Sequence, residues 1–572
     1  MVPVPFKDMP KRITIFQGEF DGPITDEWMQ HSLEGLDSDD VFHNSFLTGV
    51  IFACRAHTSC DLTGAAQELL KERGTAWVET CSDRADINAG LYVVCGEMLT
   101  PVSKLYDDTH GAFLHAIRPG GPHGKFLELK VAGSHCLRTL AVAVPSRAGP
   151  APTPAFPLKG FRIAVKGIFE IENVRISVCN KAYYELYPPP KKTAACIQIL
   201  IDAGATVVGT TKLASFAATE EPVECIDYDA PWNPRADGYQ SPAGSSSGSG
   251  AAMAAYEWLD FTIGSDTSGS GRRPGHWNGC FAMRPTYGVL LSEGYVGSFK
   301  QFDTPTFYTR DLRKGKYFAE SWYGKALSPP PRSGKPAIIY PTDYMSLISN
   351  KVQNDVIDAF VRDLESSLGV AHERISFNEL WDSTTPEAAN GMSLQEYMKD
   401  ASRNSFFHDD YHSFDKFRKD YVQKFGKQPY LARQELSSKI AQEERNIAVD
   451  RLEVYRKWFT EHFLQVGKKD TLVLIPIEEI SPRYRDEAPA YHFNPVGVPM
   501  LFVSPILGAP ELTVPIGLSL YLSKVTGCEE KFPIAISILG SPGRDLELFD
   551  IASGCLKKCG RPDTVKPGKE MF

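Results

Sequence analysis

The stretch "SPAGSSSGSGAAMAA", residues 241–255, is rich in serine and glycine and then continues into small apolar residues. Tracts of this composition are usually flexible linkers. Here the chain runs on into "YEWLDFTIGSDTSGSGRRPG", which predicts a strand followed by a second glycine-rich turn. A linker rarely leads straight into such closely spaced elements. We therefore expect the stretch to belong to a folded core.

A second interpretation is the nucleophile elbow of an α/β-hydrolase. The residues "GSSSG", 244–248, match Gly-x-Ser-x-Gly with Ser246 at the centre. An elbow follows directly on a buried strand, whereas the preceding residues here, "NPRADGYQSPA", are polar and contain prolines. The sequence therefore disfavours Ser246 as a nucleophile.

Composition narrows the class of protein. The chain has 572 residues, 42% of them hydrophobic and 23% charged, with a formal net charge of −9. Lysines and arginines are scattered among acids, which argues against a nucleic-acid or anionic-membrane partner. No apolar run reaches the roughly 20 residues that a spanning helix needs, and the first residues do not resemble a signal peptide. We expect a soluble, cytoplasmic protein without stable membrane insertion.

The cysteines are not arranged as metal ligands. The chain has 12 of them, in no Cys-x-x-Cys pair and with no histidines at zinc spacing. The sequence therefore predicts reduced thiols and no metal.

The order of predicted elements indicates two domains. Short strand-like runs around the helical stretch "LTGAAQELLKERG" predict a small α+β N-terminal domain over residues 1–150. The proline-rich segment "PSRAGPAPTPAFP" ends it. Residues 151–572 alternate strands such as "TVVGTT" with helices, which predicts an α/β fold with a buried sheet. Within them, residues 350–465 read as charged amphipathic helices that cover the sheet and shape a substrate pocket.

Three blocks of the larger domain resemble, in this order, the amidase signature family. They are "VKG" with Lys166, "SPAGSSSGSGAA" with Ser245, and "GSDTSGSGRRP" with Ser270. The segments "NPR", "RPTYGV", "GAPELTVPIG" and "FPIAISILGSPGRDLEL" also stand where that family has them, so the resemblance spans residues 155–560. It implies a large mixed, twisted β-sheet core with helices on both faces, and no organic cofactor or metal.

The resemblance also implies a Ser-cisSer-Lys triad. Ser270 would attack the substrate carbonyl, Ser245, joined to Gly244 by a cis peptide, would relay the proton, and Lys166 would be the base. A lysine can act as a base only when neutral, and lowering its pKa from about 10.4 to about 7 removes roughly 4 to 5 kcal/mol of ammonium stabilisation. Lys166 closes the apolar run "FRIAV", where burial can supply a shift of that size.

The turn around the nucleophile would stabilise the oxyanion. Backbone N–H groups must be aimed at the developing charge, and the residues predicted to present them are Thr267, Ser268, Gly269 and Ser270. Asp266, Arg272 and Ser246 are predicted to support this arrangement without touching the substrate. His276 lacks an orienting acid and is predicted to be a loop histidine outside the triad. Cys280 is predicted to be a buried small hydrophobic residue.

The sequence departs from the family at three points. Gly167 replaces the aspartate that commonly follows the lysine, and "SGSG", residues 268–271, replaces Gly-Gly-Ser followed by an aliphatic residue. The span between the two serines is also one residue longer. The triad is unchanged by these differences, which leave the substrate class open.

The predicted function is hydrolysis of the carbon–nitrogen bond of a small-molecule amide through an acyl-enzyme on Ser270. The alternatives are an acyl transferase that forms an amide, the glutaminase subunit of a tRNA-dependent amidotransferase, and a non-catalytic binding protein on the same fold. The substrate and the oligomeric state, including a homodimer, stay open.

Overall fold

A computed structural model describes residues 10–18, 22–54, 61–82, 88–96, 98–120, 126–134, 139–149, 151–331, 334–431, 439–489 and 493–572. These residues form two compact units. The first falls within Met1–Asp107, Leu129–Arg162 and Ile201–Val208, and the second within Asp108–Glu128, Ile163–Leu200 and Gly209–Phe572.

The described strands are β1 (Lys11–Gly18), β2 (Gly49–Cys54), β3 (Trp77–Ser82), β4 (Gly90–Cys95), β5 (Met98–Pro101), β6 (Ser103–Asp107), β7 (Phe113–Pro119), β8 (Phe126–Leu129), β9 (Ala141–Pro145), β10 (Arg162–Lys166), β11 (Thr206–Thr211), β12 (Phe261–Asp266), β13 (Phe281–Arg284), β14 (Thr304–Thr309), β15 (Ala337–Pro341), β16 (His372–Ile375), β17 (Thr471–Ile475), β18 (Glu511–Leu522) and β19 (Glu529–Leu539). The described α-helices are α1 (Asp26–Asp37), α2 (Gly64–Glu72), α3 (Lys181–Leu186), α4 (Ala195–Asp202), α5 (Ser247–Ala255), α6 (Arg272–Trp277), α7 (Leu312–Tyr323), α8 (Thr342–Met345), α9 (Lys351–Leu368), α10 (Phe377–Ser383), α11 (Leu394–Met398), α12 (Ala401–Ser413), α13 (Asp415–Phe425), α14 (Gln442–Phe459), α15 (Val503–Leu507) and α16 (Asp545–Lys558).

The first unit is built on a five-stranded sheet in the order β3-β2-β1-β4-β5. Strand β1 pairs in parallel with β2 and antiparallel with β4. Thr25 and Thr63 cap the N-termini of helices α1 and α2, because each side chain accepts a hydrogen bond from a backbone N–H of the first turn. Their apolar faces join one core with the sheet. The helix predicted in "LTGAAQELLKERG" is α2.

The second architectural element is a mixed 12-stranded sheet in the order β16-β15-β17-β19-β18-β13-β14-β12-β10-β11-β7-β8. Its middle strands are buried along their whole length. Helices pack on the sheet, so neither face of these strands is exposed to solvent. Strand β10 pairs in parallel with β12, and β12 pairs antiparallel with β14. The predicted α/β fold class, with a large mixed sheet and helices, is confirmed.

Three strands, β7, β8 and β16, lie where the sequence analysis did not place them. Strand β7, predicted within the N-terminal domain, pairs antiparallel with β11 of the large sheet. Its side chains Phe113, Ala116 and Ile117 are buried and give the strand apolar surface that packs inside the protein. Strand β16 interrupts the helices predicted over residues 350–465 and pairs in parallel with β15 at the edge of the sheet. The domain boundary near residue 150 stays a prediction.

Helices α10, α11, α12 and α14 and the turn that follows α14 share an aromatic core. It contains the rings of Phe377, Trp381, Tyr455, Trp458 and Phe463, all at most 3% exposed. The ring centroids of Trp381 and Trp458 lie 5.1 Å apart in an edge-to-face arrangement. This part of the chain is therefore held by apolar packing.

Candidate active site

Lys166 ends strand β10 and points into the protein. The whole strand is buried, and the lysine is 0% exposed. Its Nζ lies 2.8 Å from the Oγ of Ser245, 2.9 Å from the Oγ of Ser246 and 2.8 Å from the Oγ of Ser265. Three hydroxyl groups thus occupy the three positions around the amine.

Burial lowers the pKa of Lys166 to about 7, because the ammonium form loses its hydration. The negative charges of Asp266 and Asp303, with a smaller contribution from Cys179, act in the opposite direction. At physiological pH the neutral amine is therefore well populated. This is the protonation state that a general base requires.

The hydroxyl protons around the lysine have defined directions. The Oγ of Ser246 donates to the carbonyl oxygen of Ser265 over 3.0 Å, so Ser246 can only accept from the lysine. A neutral amine has two N–H donors and one lone pair. The lone pair is therefore left for the hydroxyl of Ser245 or Ser265.

The serine loop, residues 241–246, connects a buried turn to helix α5. The peptide bond between Gly244 and Ser245 is cis. The N–H of Ala214 donates to the carbonyl of Ser245 over 3.0 Å, which holds the loop from the opposite side. Helix α5 approaches closely at Gly248, where a Cβ would lie 2.5 Å from the backbone of Lys212. At Gly250 a Cβ would lie 2.9 Å from the side chain of Pro274, so Gly248 and Gly250 both serve close packing.

Ser270 lies beside this loop. The N–H of Ser246 donates to the carbonyl oxygen of Ser270 over 3.1 Å. Ser245 is 1% exposed, whereas Ser270 is partly exposed. In the described part of the chain, the hydroxyl of Ser270 makes no hydrogen bond. Of the three residues predicted to form the triad, it is the one that a substrate can reach.

The turn that contains Ser270, residues 267–271, is named the nucleophile turn after the predicted role of that serine. The carboxylate of Asp266 holds it by hydrogen bonds. Its two oxygens accept from the backbone N–H groups of Gly269 and Gly271, each over 3.0 Å, and of Arg272 over 3.1 Å. Gly269 has φ +116°, a conformation that favours glycine. Its N–H is engaged by Asp266. The N–H groups of Thr267, Ser268 and Ser270 have no such partner among the described residues and are the available oxyanion donors.

Buried charges hold the turn in place. The guanidinium of Arg272 lies 2.8 Å from Asp266 and 2.7 Å from Glu511, and all three side chains are 0% exposed. Arg284 donates to the carbonyl oxygen of Asp266 over 2.6 Å. Burial alone would raise the pKa of Asp266, but the charges of Arg272 and Arg284 hold it well below its usual range. Asp266 is therefore ionised across the physiological range.

Four residues of this arrangement were not predicted. Ser265 precedes Asp266 in the third block, and Arg284 and Glu511 stand in "RPTYGV" and "GAPELTVPIG", so each belongs to a segment that carries the family resemblance. The fourth, Asp303, accepts a hydrogen bond from the hydroxyl of Thr267. No sequence signal pointed to this contact.

His276 and Cys280 lie outside this network. The sequence predicts His276 in a loop, but it belongs to helix α6, because the nucleophile turn leads directly into helical backbone. Burial lowers its pKa to about 4, and it forms no hydrogen bond with Ser270 in the described structure. Cys280 is 0% exposed, in agreement with the prediction of a buried residue.

Local packing accounts for two departures from the family pattern. A Cβ on Gly167 would lie 2.4 Å from the side chain of Leu114 and 3.2 Å from the carbonyl of Thr211. A Cβ on Gly271 would lie 2.8 Å from the Oγ1 of Thr306. At each of these glycines, a neighbouring side chain occupies the position that a Cβ would need.

The described residues contain no group of three or more His, Cys, Asp or Glu side chains arranged to hold a metal ion. No helix in the same residues is long and apolar enough to cross a membrane.

The mixed sheet, together with a buried lysine that is hydrogen-bonded to serine hydroxyls, is typical of an α/β protein of the amidase class. The family model described as Amidase matches residues 135–549, and the chain belongs to this family. Amidase 1 of Oryza sativa subsp. japonica is 36% identical over 163 residues, which are 28% of this chain and 37% of that relative. A glutamyl-tRNA(Gln) amidotransferase subunit of Haloarcula marismortui is 39% identical over 148 residues, 25% of this chain and 34% of that relative. This chain thus spans about a third of the length of these curated relatives.

Solved structures share the fold. The crystal structure of an amidase superposes with a TM-score of 0.56 at 19% identity, covering 71% of this chain and 86% of that one. The crystal structure of a glutamyl-tRNA(Gln) amidotransferase subunit from Thermotoga maritima gives 0.55 at 17% identity, covering 81% and 90%. At these identities the likeness establishes the architecture alone.

Proposed function

We propose that the protein is a serine-dependent amidase that hydrolyses the carbon–nitrogen bond of a small-molecule amide through an acyl-enzyme on Ser270. The observation that supports this most is the fully buried Lys166, hydrogen-bonded to three serine hydroxyls and with its pKa lowered to about 7. The neutral amine that this pKa makes available at physiological pH is the form that a general base requires. Membership of the Amidase family agrees with the same chemistry.

The proton moves along the hydroxyl chain. Ser270 Oγ attacks the amide carbonyl while its proton passes to Ser245, and Ser245 gives its own proton to the lone pair of Lys166. The contact between Lys166 and Ser245 is already made, whereas the contact between Ser270 and Ser245 has to form when the substrate binds. The carbonyl carbon becomes tetrahedral and its oxygen negative. The N–H groups of the nucleophile turn stabilise this oxygen, because they are held in place before the reaction.

The intermediate then collapses in the reverse direction. The bond from carbon to nitrogen breaks as the ammonium of Lys166 returns a proton through Ser245 to the leaving amine. This leaves an ester between the acyl group and Ser270. Water attacks the ester with the same relay as base, and the acid product and the free serine are formed.

A fluorophosphonate probe tests this proposal without knowledge of the substrate. We expect stoichiometric labelling of Ser270, which peptide mass spectrometry locates. Lys166→Ala should abolish labelling, while Lys351→Ala, at an exposed lysine paired with Asp355, should leave it unchanged. A folded wild-type protein that the probe does not label would contradict the proposal.

Amidotransfer is a second candidate. It is favoured by the relatives that are named glutamyl-tRNA(Gln) amidotransferase subunits. In that case glutamine would acylate Ser270 and release ammonia to an acceptor. Incubation with glutamine and measurement of free ammonia separates this activity from hydrolysis of other amides, and product analysis with an added amine reports acyl transfer.

A further inference from the structure

The active-site chemistry proposed above gives no role to Asp303, a buried carboxylate that contacts the nucleophile turn. Asp303 directly precedes strand β14 and is 5% exposed. We propose that Asp303 is a positioning residue, which fixes the nucleophile turn through Thr267 and stabilises the ammonium form of Lys166 by its negative charge. This inference rests on the proposed function.

The surroundings of Asp303 are shaped for a carboxylate. One oxygen accepts from the hydroxyl of Thr267, and the other accepts from the N–H of Phe299 over 3.0 Å. A Cβ on Gly297 would lie 2.2 Å from this second oxygen, so only glycine leaves room for it there. The carboxylate is therefore held in one orientation by contacts on both oxygens.

Thr267 connects this carboxylate to the turn. Asp266 already binds the later part of the turn through the N–H groups of Gly269 and Gly271. The bond from Thr267 to Asp303 fixes its first residue, whose N–H is one of the available oxyanion donors. Two carboxylates thus hold opposite ends of the same turn. Loss of the second would let the donors move relative to the substrate carbonyl.

The charge of Asp303 also acts on the lysine. Lys166 faces Asp266, Asp303 and Cys179. The charge of Asp266 is balanced by direct ion pairs with Arg272 and Arg284. Asp303 forms no ion pair of this kind among the described residues. Both charges favour the ammonium form of Lys166, that of Asp266 more strongly than that of Asp303.

Other ionisable groups also face Asp303. They are Arg284 and Lys166, which favour its ionised form, and Tyr295 and Asp410, which face it from the preceding segment and from helix α12. Burial raises the pKa of Asp303 above its usual value, and the hydrogen bonds from Thr267 and Phe299 reduce this shift without cancelling it. Burial also raises the pKa of Asp410 to about 7.

The test is the rate of fluorophosphonate labelling of Ser270 as a function of pH in the full chain. In Asp303→Asn, removal of the charge makes the ammonium less favourable, so the midpoint of the acid limb should fall by about 1 pH unit. In Thr267→Val, the turn loses its contact with Asp303. Its maximal rate should fall about 10-fold to 100-fold, and Thr267→Ser should restore the rate.

The outcomes distinguish this inference from the proposed function. A wild-type protein that is not labelled contradicts the function itself. A labelled wild type with an unchanged midpoint in Asp303→Asn overturns the inference alone, as does an unchanged maximal rate in Thr267→Val. If circular dichroism shows that Asp303→Asn is unfolded, Asp303→Ser removes the same charge with less crowding, and the Thr267→Val and Thr267→Ser pair still decides the positioning role.

Discussion

The lysine–serine site and the aromatic core of helices α10, α11, α12 and α14 are both buried, but they are stabilised in different ways. The Nζ of Lys166 is held by directional hydrogen bonds to three hydroxyl oxygens. In the aromatic core the contacts are ring against ring, as between Phe377 and Phe463 at 5.1 Å. Leaving a buried polar group unpaired costs about 1–3 kcal/mol, while a volume-conserving apolar exchange usually costs less than about 1.5 kcal/mol. Hydrogen-bonding chemistry fixes residue identity in the first region. In the second, volume fixes the phenylalanines, while Trp381 and Trp458 also donate hydrogen bonds, to Met392 and Thr384.

The largest expected effect is at the nucleophile. Ser270→Ala should lower turnover on the order of 10⁶-fold, because no other hydroxyl in the site is partly exposed and free to attack. Ser247→Ala, in the first turn of α5, provides a matched control, since no contact of its side chain enters the lysine network. Residual turnover of the Ser270 variant within about 10-fold of the wild type would exclude the acyl-enzyme.

The next effect is on stability. Asp266→Asn leaves Arg272 and Arg284 buried beside a neutral side chain, and we expect the free energy of unfolding to fall by about 3–5 kcal/mol. Glu453→Gln is the matched control, because its ion pair with Arg456 lies on the surface and is worth at most about 1 kcal/mol. Chemical denaturation of both variants measures the difference. Equal effects would show that the buried charges do not hold the turn.

The pH dependence should follow Lys166. Because its folded-state pKa is lowered to about 7, the neutral base is lost as the pH falls below that value. The labelling rate of Ser270 should therefore be level above about pH 8 and decrease about 10-fold per unit well below about pH 7. Lys166→Arg, which stays charged, should be inactive throughout. A rate that does not vary between about pH 5 and 8 would exclude Lys166 as the base.

The smallest effect is expected in the aromatic core. Phe463→Leu keeps an apolar side chain of similar size, and the free energy of unfolding should fall by about 1 kcal/mol. Labelling of Ser270 should not change. Thermal unfolding together with the labelling rate tests both statements. A loss of labelling without unfolding would mean that this core positions the site directly.

Sequence patterns predict the residues whose identity is set by chemistry. The three blocks identify Lys166, Ser245 and Ser270 by their motifs, and the structure brings the side chains of the first two within 2.8 Å of each other. The pairing of β7 with β11 could not be predicted, because an apolar strand does not specify its partner. The contact between Thr267 and Asp303 was equally hidden, since it joins residues 36 positions apart through the detailed path of a loop.

The two carboxylates that neutralise the buried guanidinium of Arg272 are synthesised at different times. Its second carboxylate partner, Glu511, lies 239 residues later in the chain. A nascent chain on the ribosome therefore carries all the serines of the proposed site long before it carries Glu511. A product that ends before strand β18 would lack Glu511, so Asp266 would be the carboxylate left to neutralise Arg272.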